Sequence, residues 1–164
     1  GEIIMKKNVF IILGIILVLV LVAGGGTAFW FYSTHISYQK LASKMNENYD
    51  FDISYEAEED GYSYSGSYEQ NNNTLTYIDD NIEEQSLNVN LYEAVLNEIP
   101  KQKYYNKDKT FTGSFSLVSL KQNKDLSKLL PSDNSFTCEF EITDTYLSNI
   151  ECEGDSNFSI SFFR

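Results

Sequence analysis

From Val9 to Tyr32 no residue carries a charge, and Val9 to Ala23 is dominated by Ile, Leu and Val. Crossing ~30 Å of hydrocarbon takes roughly 20 residues at about 1.5 Å each, so the run is long enough to span. No water bonds the backbone inside a bilayer, so the run is predicted to be helical despite its β-branched content. Beyond it the period changes. Tyr38, Leu41, Ala42, Met45 and Tyr49 recur at three- and four-residue spacing, which predicts a helix over 33–48 with one apolar stripe. In Tyr49–Glu56 every odd position is apolar and every even one polar, the pattern of a half-buried antiparallel strand.

Further strands follow at short intervals. Glu58–Gly61 reads as a turn, and Tyr62, Tyr64 and Tyr68 then alternate with serines. A second turn at Gln70–Asn73 leads to Thr74–Ile78, completing a three-strand meander, and Asp79–Gln85 reads as a polar loop. Leu87, Val89 and Leu91 fit a strand, while Asn90 fits the cap of a short helix stopped by Pro100; the pattern leaves both open. Tyr104–Leu117 reads as a hairpin, Leu120–Leu130 as a short helix before Pro131, and Phe136–Ile142, Tyr146–Glu153 and Phe158–Phe162 as closing strands. The plan is α+β: one N-terminal transmembrane helix, then a curved antiparallel sheet of about six or seven strands with a leading helix and one or two short covering helices. The layout is a cytoplasmic tip at 1–8, an anchor at 9–32, a membrane-proximal helix at 33–48 and a β-rich domain at 49–164.

Charge fixes the orientation. Lys6 and Lys7 flank the short end of the span, which holds that end in the cytoplasm, and Trp30 and Tyr32, with Phe29 and Phe31, form an aromatic belt at the far interface. The remainder is expected outside the cell membrane of a bacterium. Met5 followed by two lysines is how such an anchor begins. Residues 1–4 are read as translated leader, because Gly-Glu is what a purine-rich ribosome-binding sequence encodes. Gly26-Thr27-Ala28 also offers small residues for signal cleavage near Ala28, which is the alternative to a retained anchor. Gly24–Gly26 lacks the Gly-Lys-Ser/Thr of a phosphate loop and suits a bend or a close helix contact.

The net charge is −12, unevenly spread: fourteen acids and no Lys or Arg lie between Glu47 and Glu98, while Lys101–Lys128 holds seven lysines against Asp108 and Asp125. An acid-dominated surface argues against nucleic acid as a partner. The lysines are expected to pair with acidic strands of their own domain. Hydrophobic residues make up 42% of the chain and aromatics 15%, enough for a folded core outside the span.

Candidate chemistry is sparse. His35, the sole histidine, sits just past the aromatic belt, where an interfacial role is expected. Cys138 and Cys152 are too few for a structural zinc site. If the last two alternating segments form a hairpin with a three-residue loop at 144–146, Cys138 faces Cys152 and Phe140 faces Ile150. A disulfide and two buried thiols both fit that register. No calcium loop of the D-x-[DN]-x-[DN]-G type occurs, and Asp79, Asp80, Asn81, Glu83 and Glu84 read as a solvated acidic loop. Tyr62, Tyr64 and Tyr68 share a face that is either core or a contact surface for a partner. No pair of carboxylates in unlike environments is marked, so no enzyme, cofactor or metal is expected.

The helix ending in Lys44-Met45-Asn46-Glu47-Asn48, the meander of Tyr49–Glu56, Tyr62–Glu69 and Thr74–Ile78, and the closing run Thr145–Phe162 are similar to extracytoplasmic envelope proteins of the LolA/LppX-like group. That resemblance covers most of 36–164, rests on pattern with no invariant motif, and implies a half-open β-barrel with helical lids that holds lipid or acyl chains. This chain departs from the group by its membrane span and its shorter length. The functional expectation is an anchored extracytoplasmic binding or interaction domain, for an apolar or lipid-like ligand or another envelope protein. The alternative is an accessory subunit of a membrane machine for secretion, transport or conjugation, assembled through the span and its adjoining helix.

Overall fold

The computed structural model describes residues 2–57, 63–78, 83–154 and 156–164, with side chains described from residue 12. The chain divides into two compact units, 1–35 and 36–164. The first is helix α1, Glu2–Thr34. Its stretch Ile12–Thr34 is long and apolar enough to cross a membrane, and none of it is buried against protein. Leu17, Leu19 and Val22 are each more than 60% exposed. A helix apolar on every side has no face that prefers water.

The second unit is α+β. Its elements are β1 (His35–Ser37), α2 (Tyr38–Ala42), β2 (Tyr49–Ala57), β3 (Ser63–Asn71), β4 (Thr74–Ile78), β5 (Glu84–Asn88), α3 (Leu91–Glu98), β6 (Tyr104–Asn106), β7 (Lys109–Ser116), β8 (Ser135–Ile142), β9 (Leu147–Glu153) and β10 (Ser156–Phe163). Eight strands form one antiparallel sheet in the order β5-β4-β3-β2-β10-β9-β8-β7, open at both edges. The last strand lies against β2, with Ile160 opposite Ile53 and Phe162 opposite Phe51. The β3–β4 turn closes through Asn72, whose φ of 55° is a left-handed value that asparagine tolerates.

Several expectations are corrected. The helix over 33–48 does not form as one piece: Ser33 and Thr34 belong to α1, His35–Ser37 is a strand, and only Tyr38–Ala42 is α-helical. The break falls at Ser37, an extended N-cap (ψ 152°) whose Oγ accepts from Lys40 N. The apolar stripe nevertheless packs as expected, with Leu41 and Tyr49 buried and Tyr38, Ala42 and Met45 against the same core. Tyr104–Leu117 is not a hairpin: β6 pairs with β1 in a separate two-stranded sheet, and β7 pairs with β8. Leu120–Leu130 holds two short 3₁₀ turns, Leu120–Gln122 and Leu126–Leu129, rather than an α-helix. The helix reading of the segment before Pro100 holds, as α3 with Asn90 Oδ1 accepting from Glu93 N at 2.9 Å; the strand reading holds only at Leu87, since β5 ends at Asn88 and takes in Glu84 and Gln85 from the expected polar loop.

One face of the sheet is the core. Phe51, Ile53, Phe140, Ile150, Ile160 and Phe162 are at most 2% exposed, and α2, α3 and the 3₁₀ turns add Leu41, Tyr92, Val95, Leu120 and Leu126 to the same cluster. Burying each such side chain stabilises by about 1.5–3 kcal/mol. The buried Gln70 amide is satisfied: Nε2 donates to the carbonyls of Asn72 and Val89, and Oε1 accepts from Leu91 N. Gly113 admits the Pro100 ring, whose Cγ stands where a side chain at 113 would begin.

Candidate functional site

The tyrosine face divides between core and rim. Tyr68 is 3% exposed, its ring stacked on Phe51 at 5.1 Å, and Tyr64 is half-buried, stacked on Tyr55 at 5.2 Å. The Tyr64 and Tyr68 hydroxyls bond to each other in space that Gly66 leaves open. Tyr62 lies outside the described residues. Tyr68 is therefore core rather than a contact surface, because alternation turns its face inward. Burial raises the phenol pKa of Tyr49, Tyr68 and Tyr105 and pushes that of Tyr92 up to about 12. The polar tips are bonded: Tyr92 OH accepts from Leu147 N, Tyr49 OH donates to Lys44 O, and Tyr105 OH donates to Pro100 O.

Cys138 and Cys152 are joined in a disulfide across β8 and β9, with Cα atoms 4.1 Å apart. Cys138 pairs with Cys152 and Phe140 with Ile150. The loop is one residue longer than expected, because an irregularity at Glu141/Ile142 sets Ile142 opposite Leu147.

The opposite face of the sheet holds the more distinctive arrangement. β2, β3, β8, β9 and β10 carry no Lys or Arg, and their outward positions include Asp50, Asp52, Glu56, Glu139, Glu141, Glu151 and Glu153. Pairing aligns Ser65, Ser54, Ser159, Glu151, Glu139 and Thr112 in a single row across six strands. At about 4.8 Å per strand the row is roughly 24 Å long. It lines a surface groove of about 690 Å³, with Glu56, Ser63, Thr137 and Glu153 beside it and Tyr55 and Tyr64 at one end. Hydroxyl bonds stitch the face together: Ser54 Oγ with Ser159 Oγ at 2.7 Å, Ser67 Oγ to Asp52 Oδ1 at 2.6 Å and Ser161 Oγ to Asn149 Oδ1 at 2.9 Å. Asn149 Nδ2 also donates to Glu151 Oε1 at 2.8 Å. Such a surface offers acceptors above all, so it suits a partner rich in N–H, ammonium or hydroxyl donors.

The remaining candidates are dispersed. His35 stacks on Phe31 at 4.3 Å, and its Nδ1 lies 2.8 Å from Thr34 Oγ1, both partners within the first unit. Trp30 and Tyr32 are exposed on α1, and the side chains of Lys6 and Lys7 lie outside the described residues. Of the acidic loop, Asp79, Asp80 and Asn81 lie outside the described residues, while Glu84 opens β5. Among the described residues no three His, Cys, Asp or Glu groups converge as a metal site. In the lysine stretch, Lys128 pairs with Asp125 of the same stretch rather than with an acidic strand, and Lys121 donates to the carbonyls of Ser132 and Asp133 and to Asn134 Oδ1. Burial lowers the Lys121 pKa, against the pull of Asp133.

Sequence reasoning found the acids but not the row, because the row exists only once β10 is placed beside β2. No family model matches the chain, and no curated protein matches it.

Proposed function

We propose that this chain is a single-span membrane protein of a bacterial envelope. It displays an extracytoplasmic interaction domain that works through the acidic, hydroxyl-bearing face of its sheet rather than through catalysis. The observation that carries the proposal is α1, a helix apolar on every side with a stretch long enough to span, tied directly to a unit that has its own core. Lys6 and Lys7 before the span support an inside N-terminus, and the Cys138–Cys152 bond supports an oxidising compartment for the domain. The interior that an apolar ligand of the LolA/LppX-like kind would enter is filled by Phe51, Tyr68, Phe140 and Phe162. The open groove is the better supported binding surface. Its outward carboxylates share one solvent-facing environment, which favours recognition over general acid–base work.

Protease added to intact cells tests this: the domain is expected to be digested without lysis. A domain that survives until the cells are broken overturns the topology and the binding role with it. A second reading, assembly into a membrane machine through the span, draws on Gly24–Gly26, where a Cβ at any of the three positions meets nothing within 4 Å. Removing 5–34 separates the two, since partner capture by the groove survives the deletion and assembly through the helix does not.

A further inference from the structure

We infer that the pocket formed where β1 pairs with β6 binds the phosphate headgroup of an anionic phospholipid in the leaflet where α1 ends. The inference rests on α1 spanning the membrane as proposed above. The pocket, about 420 Å³, is lined by Ser37, Tyr38, Gln39, Lys101, Gln102, Lys103 and Tyr104, all within the unit 36–164. Pairing of β1 with β6 assembles it, and Tyr38 N donates to Lys103 O at 3.3 Å.

Three features identify the ligand. Lys101 Nζ lies 5.9 Å from the centre of the Tyr38 ring and Lys103 Nζ 5.5 Å from that of Tyr104, so each ammonium is held over an aromatic face. Neither lysine makes an ion pair among the described residues, although the chain carries twice as many acids as bases, 24 against 12. Two ammoniums left without carboxylates in so acidic a protein are complementary to an anion. Chain connectivity then selects the anion: Ser37 follows Thr34, the last residue of α1, by three residues. That length of extended chain reaches at most about 11 Å. With α1 spanning and its aromatic belt, Phe29–Tyr32, at the interface, Ser37 stays within reach of the headgroups, and the anion held there in quantity is the lipid phosphate.

The test uses the full chain in nanodiscs of phosphatidylcholine, with and without about one-third phosphatidylglycerol. Lysine acetylation is read residue by residue by mass spectrometry, and quenching of Trp30 by brominated lipid is measured in parallel. The expected result is quenched Trp30 together with roughly fivefold slower labelling of Lys101 and Lys103 in the anionic discs, and unchanged labelling of Lys124 and Lys128. Quenched Trp30 with equal labelling in both discs overturns the pocket while leaving the anchor standing. Unquenched Trp30 overturns the anchor and the pocket together. Equal slowing of all the lysines makes the effect general adsorption and overturns the site. Slowing in neutral discs on adding inorganic phosphate, to the extent seen with anionic lipid, makes it a free-phosphate site and overturns the lipid assignment.

Discussion

Leu17 and Phe140 are both large apolar residues in regular structure, yet Leu17 is 62% exposed and Phe140 is fully buried. Around Phe140 every second residue of β8 is polar and faces away from the core; around Leu17 no residue is polar at all. The difference lies in the solvent each pattern expects. Alternation needs water on one side of the strand, and an apolar helix without a polar face needs none. The sharpest way to break that comparison is the same truncation in both units. Phe140→Ala removes a ring packed on Phe111 at 5.0 Å and is expected to cost about 3–5 kcal/mol of domain stability. Leu17→Ala is expected to leave the denaturation midpoint of the domain unchanged. Loss of stability in the Leu17 variant would mean that protein, not lipid, covers α1.

The tyrosines sharpen the comparison from inside the domain. Tyr92 is fully buried and its phenol is pushed up to about 12, while in an unfolded chain it ionises near the ordinary value of about 10. The folded form thus holds its proton more tightly. Below about pH 10 both forms are protonated and stability is flat; above it the unfolded form ionises first and gains. Between about pH 10 and pH 12, Tyr92 alone is expected to remove roughly 3 kcal/mol, with Tyr49, Tyr68 and Tyr105 acting in the same direction. Denaturant midpoints on either side of pH 10 read this directly. A midpoint constant up to pH 12 would put the phenols in water and dissolve the contrast between the two faces of the sheet.

What the chain discloses before it folds follows the range of the forces involved. Strict alternation in Tyr49–Tyr55 and Phe136–Ile142 names strands and their inward faces, because period two is local. The register of Cys138 with Cys152 is nearly local as well, set by a short loop. β1 was hidden because three residues carry no period, and β6, read as a hairpin arm, was given the wrong partner because each of the two is a strand only through the other. Gln70, assigned to a turn by its polarity, is 2% exposed because the start of α3 folds over it. The acidic row is the extreme case: Glu139 and Glu151 meet through a local hairpin, but Ser54, Ser65 and Thr112 come from distant segments, and only pairing across the whole sheet brings them into line.

That row also yields the smallest expected effect and the most direct bearing on function. Glu139 and Glu151 stand opposite each other on β8 and β9 with no Lys or Arg on either strand. Like charges directly opposite weaken a strand pair, so their presence works against the fold. Glu139→Thr replaces one carboxylate with a residue that strands favour and is expected to stabilise the domain by about 0.2–1 kcal/mol, more at low salt than at high. Stabilisation would mean that the protein carries this pair at a cost, as a surface kept for a partner is expected to do. Destabilisation would make Glu139 part of the scaffold instead, and the outer face would then differ from the inner only in what it bonds to, not in what it is for.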